Sequence, residues 1–246
     1  MPAVALQLSR SAPGEQRRFE RHEVEVGWQA SVLDALFAAQ RKSAPDLAFR
    51  FSCRVGMCGS CAMVVNGRER LACSTLVRTL GSELRIEALR NLPVVRDLVT
   101  DMRPFFDAHQ RAMPQFIPRQ GLNDFERLPH DGAAWQALNH QPQCIDCGAC
   151  WSACSLVTMH PRYLGPMALH RALSLVVDPR DGAKEERLAR VAGEDGAFRC
   201  HTLGNCRDAC PRGISPTQSI ERLKRLALGA KLKAWLSRLS GTAATE

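Results

Sequence analysis

The chain has 246 residues, 45% of them apolar and 24% charged, a balance that fits one large globular domain or two ordinary ones and excludes global disorder. No uncharged apolar run reaches the roughly 18–20 residues of a membrane-crossing helix, and residues 1–19 lack an apolar stretch before a small-residue cleavage site, so neither a span nor a secretory leader is expected. The formal charge of +8, from 33 basic and 25 acidic residues, would alone point to nucleic acid or an anionic surface.

The first hundred residues read as a small mixed domain. Val4, Leu6 and Leu8 alternate at period two, as do Val24 and Val26, then Leu47, Phe49 and Phe51, and later Leu84, Ile86 and Ala88; each group predicts a half-buried strand. Ser31 can cap a helix running to about Lys42, with Val32, Leu33, Leu36 and Phe37 inward. Asn66-Gly67 after Met63-Val64-Val65 is a strong hairpin signal, because both residues tolerate positive φ.

Between the Phe51 strand and that hairpin lies Cys53-Arg54-Val55-Gly56-Met57-Cys58-Gly59-Ser60-Cys61. With Cys73 it reads C-x4-C-x2-C-x11-C, whose first three members have the plant-type [2Fe–2S] spacing. Gly56 and Gly59 allow the tight, partly left-handed turns that aim amide N–H groups at sulfur. A four-cysteine zinc site is the alternative, but zinc knuckles usually pair C-x2-C with a second C-x2-C.

From Asn91 the pattern changes. Val94, Val95, Leu98, Val99 and Met102 fall at helical spacing, and Pro104 marks a break or restart, so a domain boundary is expected near residues 103–106. Residues 108–143 contain Pro114, Pro118, Pro129 and Pro142 and predict a winding connection with short helices. Pro166 to Val177 suits a buried helix, and 179–195 a charged, solvated segment. Ser215-Pro216-Thr217-Gln218 reads as a helix start, with Ser as cap and Pro at the first position. That last helix is expected to carry Ile220, Leu223, Leu228, Leu232 and Leu236 along one stripe. Its Arg222, Lys224, Arg225, Lys231, Lys233 and Arg238 face a single acid, Glu221, which suits anionic lipid, an acidic partner or plain solvent. Gly241 to Glu246 reads as a frayed tail.

Two further cysteine runs form an imperfect repeat. Cys144, Cys147, Cys150 and Cys154 read C-x2-C-x2-C-x3-C, and Cys200, Cys206 and Cys210-Pro211 read C-x5-C-x3-C-P, so the three stretches use all eleven cysteines. An odd count without a leader disfavours a disulfide framework and favours cytosolic thiols at ligand spacing. In two-cluster bacterial ferredoxins the fourth cysteine of each run ligates the other run's cluster. That crossover assigns Cys144, Cys147, Cys150 and Cys210 to a [4Fe–4S] site, and Cys154, Cys200 and Cys206 to a site with Leu203 where a fourth thiolate would stand. A cubane corner without a ligand loses its iron, so [3Fe–4S] is expected there. Each cluster with its thiolates carries a formal charge of about −2; three of them would take +8 to about +2, removing most support for a nucleic-acid partner.

Taken together, these motifs resemble the iron–sulfur subunits of succinate dehydrogenase and fumarate reductase. The resemblance runs from about residue 4 to about 235. It rests on Cys-Arg-Val-Gly-Met-Cys-Gly-Ser-Cys-Ala, Arg70-Leu71-Ala72-Cys73, Arg96-Asp97-Leu98-Val99 and the two later runs. It implies an α+β architecture: a β-grasp [2Fe–2S] ferredoxin-like domain over 1–104, then an all-α domain over 105–246 resembling a two-cluster bacterial ferredoxin. It further implies an oxidoreductase subunit that does no dicarboxylate chemistry itself. Single electrons would pass between the FAD of a flavoprotein partner and a quinone held against membrane-anchor subunits, at the cytoplasmic face of the inner membrane.

Departures gather at the quinone end. Many family members have proline after the cysteine aligned with Cys154 and a quinone-pocket tryptophan five residues after it; here Ser155 and Met159 stand there. The stretch His160-Pro161-Arg162-Tyr163-Leu164-Gly165-Pro166 is similar to one in fumarate reductases, a lean toward a menaquinone-type site. His201 matches the histidine beside the [3Fe–4S] cluster, either at the quinone or hydrogen-bonded to sulfur or backbone. Trp151 reads as packing rather than an electron relay. The same relay in a soluble reductase with a non-quinone acceptor is the alternative.

Overall fold

The chain is described here from a computed structural model covering residues 3–121, 126–139 and 143–239. In chain order its elements are strands β1 (Ala3–Arg10) and β2 (Arg18–Glu25), helix α1 (Val32–Lys42), strands β3 (Ala62–Val65), β4 (Arg68–Leu71), β5 (Glu83–Glu87), β6 (Val94–Arg96) and β7 (Val99–Thr100), and helix α2 (Arg103–Arg111). Helices α3 (Ala133–Leu138), α4 (Ala149–Ser152), α5 (Ser155–Met159), α6 (Gly165–Val176), α7 (Lys184–Val191), α8 (Asn205–Asp208) and α9 (Pro216–Leu239) follow. Two compact units share them. One comprises Met1–Phe106, Gln143–Cys154 and Asn205–Ile214; the other Asp107–Pro142, Ser155–Gly204 and Ser215–Glu246.

The first unit is built on a five-stranded mixed sheet in the order β2-β1-β5-β3-β4. Only β1 and β5 run parallel, with Leu6 opposite Leu84 and Leu8 opposite Ile86, and all four side chains are fully buried. The period-two alternation seen in the sequence therefore sets the register, since a one-residue slip would turn these side chains to the other face. α1 starts on a reciprocal capping box: Ser31 Oγ accepts from the Asp34 amide at 3.2 Å and the Asp34 carboxylate accepts from the Ser31 amide at 2.8 Å. The β3–β4 hairpin turns at Asn66 (φ 49°) and Gly67 (φ 78°), the left-handed pair its dipeptide calls for.

Two expectations in this unit are corrected. Leu47–Phe51 is not a strand. Phe49 and Phe51 pack with Phe37 at ring-centroid distances of 5.4 and 4.8 Å, and the Ala48 amide and carbonyl are taken by the Asp97 carboxylate (3.0 Å) and the Leu98 amide (3.2 Å). The helical spacing of 94–102 instead yields the β6–β7 hairpin. Asp97 takes φ 49°, and its buried carboxylate accepts from Arg10 Nε (3.1 Å) and the Ser11 amide (3.3 Å), fixing a turn where a helix would need to continue. The helix restarts at Arg103, with Pro104 in its first turn, where no intrahelical N–H is lost.

The second unit is helical. Every residue of α6 except Arg171 is buried, and α6 packs against both α7 and α9. The segment 179–195 is not simply solvated, because α7 buries Arg187, Leu188 and Val191. Arg187 pairs with Asp181 at 2.6 Å, both side chains fully buried, and donates to the carbonyls of Met113 (3.0 Å) and Gln115 (2.8 Å). The Asp181 carboxylate also accepts from the Ile117 amide at 3.2 Å. Backbone groups of the proline-interrupted 113–117 segment thus find partners on charged side chains in place of a helix ladder.

α9 begins where expected, the Gln218 amide donating to Ser215 Oγ at 3.4 Å. Its apolar residues do not form one stripe. At 100° per residue, Ile220 and Leu223 lie on one face and are buried, whereas Leu228, Leu232 and Leu236 lie on another and are exposed. Pro142 and the 241–246 tail lie outside the described residues.

Candidate metal centres

The first cysteine loop is shaped by backbone that only a few residues adopt easily. Arg54 (φ 58°), Gly56 (φ 74°) and Gly59 (φ 73°) are all left-handed. Successive turns of this kind point amides at one sulfur: Met57 N and Cys58 N both donate to Cys53 Sγ at 3.3 Å, and Cys53 N donates to Cys58 Sγ at 3.5 Å. Arg54 lies 5.3 and 5.4 Å from the ring centroids of Phe37 and Phe51, which ties the loop to the aromatic cluster beside α1. The hairpin delivers the other two thiols. Ala62 pairs with Leu71, so Cys61 and Cys73 stand just past the paired ends of β3 and β4, with their sulfurs 3.3 Å apart. The Ser60 hydroxyl, then the amides of Cys53 and Ser60, hold the exposed Cys58 thiol down to about 6, whereas burial pushes Cys61 up to about 12.

A second group lies in the same unit. α4 packs against α8, and around the half-buried Cys150 the structure brings Cys147, Cys144, Cys206 and Cys210 within electrostatic reach. Burial pushes Cys144 up to about 12, Cys147 to about 11 and Cys150 well above its ordinary value. Thiols so raised stay protonated at neutral pH unless a cation replaces the proton, so a partly buried group of cysteines of this kind suits bound metal. Among the described residues no three His, Cys, Asp or Glu side chains converge on a point that one ion would fill; a multi-iron core takes its thiolates at separate irons and does not ask for that convergence.

The remaining thiols are divided between the units. Cys206 is buried in α8 and Cys154 follows α4, both in the first unit. Cys200 is in the second, its sulfur accepting from the Thr202 amide at 3.4 Å and its carbonyl from Lys224 Nζ at 2.6 Å. The two runs share a backbone signature: Asp146 and Gly148 have φ of 51° and 77°, and Thr202 and Gly204, at the matching positions, have 62° and 82°. Leu203 therefore occupies the place of Cys147 in an equivalent turn, and it is 61% exposed. His201 is exposed in that turn; Ser155 and Met159, four apart on α5, are exposed as well.

The two cysteine loops of the first unit touch. A Cβ built on Gly59 would lie 2.7 Å from the Ile145 carbonyl oxygen and 2.8 Å from Cys147 Cβ, so only glycine allows this approach. Trp151 acts as packing, buried edge-on against Phe105 at 5.8 Å with its indole N–H donating to the Asn91 carbonyl at 3.1 Å.

Asn91 is the positioning residue that sequence reasoning missed. With φ 63° it turns Nδ2 onto the carbonyls of Trp151 (3.1 Å), Ser152 (3.1 Å) and Cys154 (2.9 Å), closing the C-terminal end of α4. Beside it the Arg90 amide donates to Ser152 Oγ, which donates to Glu69, both at 2.8 Å. Its only advance signal is an asparagine, tolerant of left-handed backbone, just before Leu92-Pro93. Asn91→Ala is expected to destabilise the first unit by about 1–3 kcal/mol, read as a lower denaturant midpoint and faster iron loss to a chelator.

Comparison with known proteins accords with this picture. A family model described as a 2Fe-2S iron-sulfur cluster binding domain matches residues 5–107, and a 4Fe-4S dicluster domain matches 141–214. The chain is 36% identical over 204 residues to the fumarate reductase iron-sulfur subunit of Escherichia coli, covering 82% of this chain and 83% of that protein. It is 34% identical over 243 residues to the fumarate reductase iron-sulfur subunit of Mycobacterium tuberculosis (96% and 97%), and 35% over 224 residues to the succinate dehydrogenase iron-sulfur subunit of Paracoccus denitrificans (87% and 83%). Among solved structures, a chain of the Mycobacterium smegmatis Sdh1 complex in the apo form superposes with a TM-score of 0.85 at 29% identity, over 94% of this chain and 98% of that one.

Proposed function

The chain belongs to the iron–sulfur subunits of fumarate reductase and succinate dehydrogenase, and on that premise we propose that it carries single electrons between the FAD of a flavoprotein partner and a membrane quinone. Iron–sulfur clusters supply one-electron redox chemistry at potentials set by cluster type, hydrogen bonds and burial. In this reading Cys53, Cys58, Cys61 and Cys73 hold [2Fe–2S]. Cys144, Cys147, Cys150 and Cys210 hold [4Fe–4S], and Cys154, Cys200 and Cys206 hold [3Fe–4S].

The observation that carries it is the shared left-handed turn at Asp146/Gly148 and Thr202/Gly204, which supports reading the third run as a cluster loop whose fourth thiolate is replaced by Leu203. The amides of Met57 and Cys58 stabilise negative charge on Cys53. The acceptor end would be formed by His201, Ser155 and Met159 together with anchor subunits, and the chain would then sit peripherally at the cytoplasmic face. Among the described residues no helix is long and apolar enough to cross a membrane.

The test is low-temperature EPR on the complex purified anaerobically with its flavoprotein and anchors. The expected result is a three-iron signal when oxidised and a two-iron signal appearing on reduction with succinate. Colourless protein holding stoichiometric zinc would overturn the assignment.

A further inference from the structure

The last helix has a second apolar face that its own chain does not cover. In the first half of α9, Ile220, Leu223 and Ala227 are buried. From Leu228 onward the described side chains are exposed: Leu228 56%, Leu232 55%, Trp235 57%, Leu236 49% and Leu239 66%. On a helical projection these five occupy an arc of about 100°, centred roughly 130° around the axis from the buried face. The exposed stripe is therefore not a continuation of the core.

Its surroundings select the occupant. Lys231 and Lys233 flank the arc on opposite sides, both exposed, and Trp235 sits at its edge. The sequence holds no acid between Glu221 and Glu246. An apolar arc with an edge indole and cationic rims is the pattern of a helix lying in the headgroup region of an anionic bilayer. The foot of the same helix is tied to the Cys200 turn: Lys224 Nζ donates to the Cys200 carbonyl at 2.6 Å, and Lys231 Nζ lies 5.5 Å from the Phe198 ring centroid.

We propose that residues 228–239 of α9 dock directly on an anionic lipid surface, with Leu228, Leu232, Trp235, Leu236 and Leu239 entering the interface and Lys231 and Lys233 facing headgroup phosphates. The proposal rests on the relay reading only in that the Cys200 turn would then be held beside the lipid phase in which a quinone dissolves.

The test is vesicle flotation of the full chain with its clusters loaded, using phosphatidylcholine with and without phosphatidylglycerol. The wild type is expected to float with the anionic vesicles, to release as salt rises, and to show a blue shift of Trp235 emission that is missing in Trp235→Phe. Leu232→Ser with Leu236→Ser should abolish flotation, and Lys231→Gln with Lys233→Gln should weaken it about thirtyfold. No flotation of the wild type, or equal flotation of the leucine variant, overturns the proposal. So does normal flotation of that variant combined with lost binding to the flavoprotein or anchors, which would make the stripe a protein interface. Cluster EPR on the same samples tests the relay separately.

Discussion

Gly59→Ala is expected to destabilise the first unit by about 2–5 kcal/mol and to lower the occupancy of both cluster loops it separates. Two costs add. An alanine held at φ 73° costs about 1–2 kcal/mol relative to right-handed backbone. The new methyl would also meet the Ile145 carbonyl oxygen at 2.7 Å, with Cys147 Cβ at 2.8 Å and Cα at 2.9 Å, and forcing such contacts apart costs about 1–3 kcal/mol. Gly67→Ala isolates the first cost, since Gly67 has φ 78° but no atom within 4 Å of its built Cβ. Denaturant midpoints of the two variants at equal cluster loading should differ by the contact alone. Equal losses would mean that the two cysteine loops do not press together at Gly59.

On the proposed ligand assignment, Leu203→Cys is expected to turn a three-iron site into a four-iron one. Leu203 is 61% exposed in a turn whose left-handed positions match those around Cys147, so a cysteine there would be presented as Cys147 is, with no core side chain lost. The oxidised three-iron EPR signal should vanish, iron content should rise by about one per chain, and the potential of that site should fall. An unchanged three-iron signal would show that position 203 does not face the open corner, and the ligand assignment would fail with it.

The iron–sulfur character of the two domains was legible because thiolate ligation restricts residue type so severely that spacing alone carries meaning. The grasp-like sheet was legible for a different reason: Val4, Leu6, Leu8, Leu84 and Ile86 bury one face each and reject any other register. The failures share a cause. Phe49 and Phe51 alternate like a strand, yet they answer to Phe37 on α1; Val94 to Met102 repeat like a helix, yet Asp97 answers to Arg10, Ser11 and Ala48. Asn91 closes a helix sixty residues further on. In each case a side-chain partner distant in sequence overrides a local period, and no window of neighbouring residues contains that partner. The stripe expected along α9 failed more simply, because spacings of three, five, four and four residues do not stay on one face of a 3.6-residue turn.

The most direct measurement is iron and acid-labile sulfide per chain in anaerobically purified complex. Thiolates divided four, four and three should hold about nine iron and about ten sulfide. About six iron with no three-iron signal, or zinc in place of iron, would contradict it.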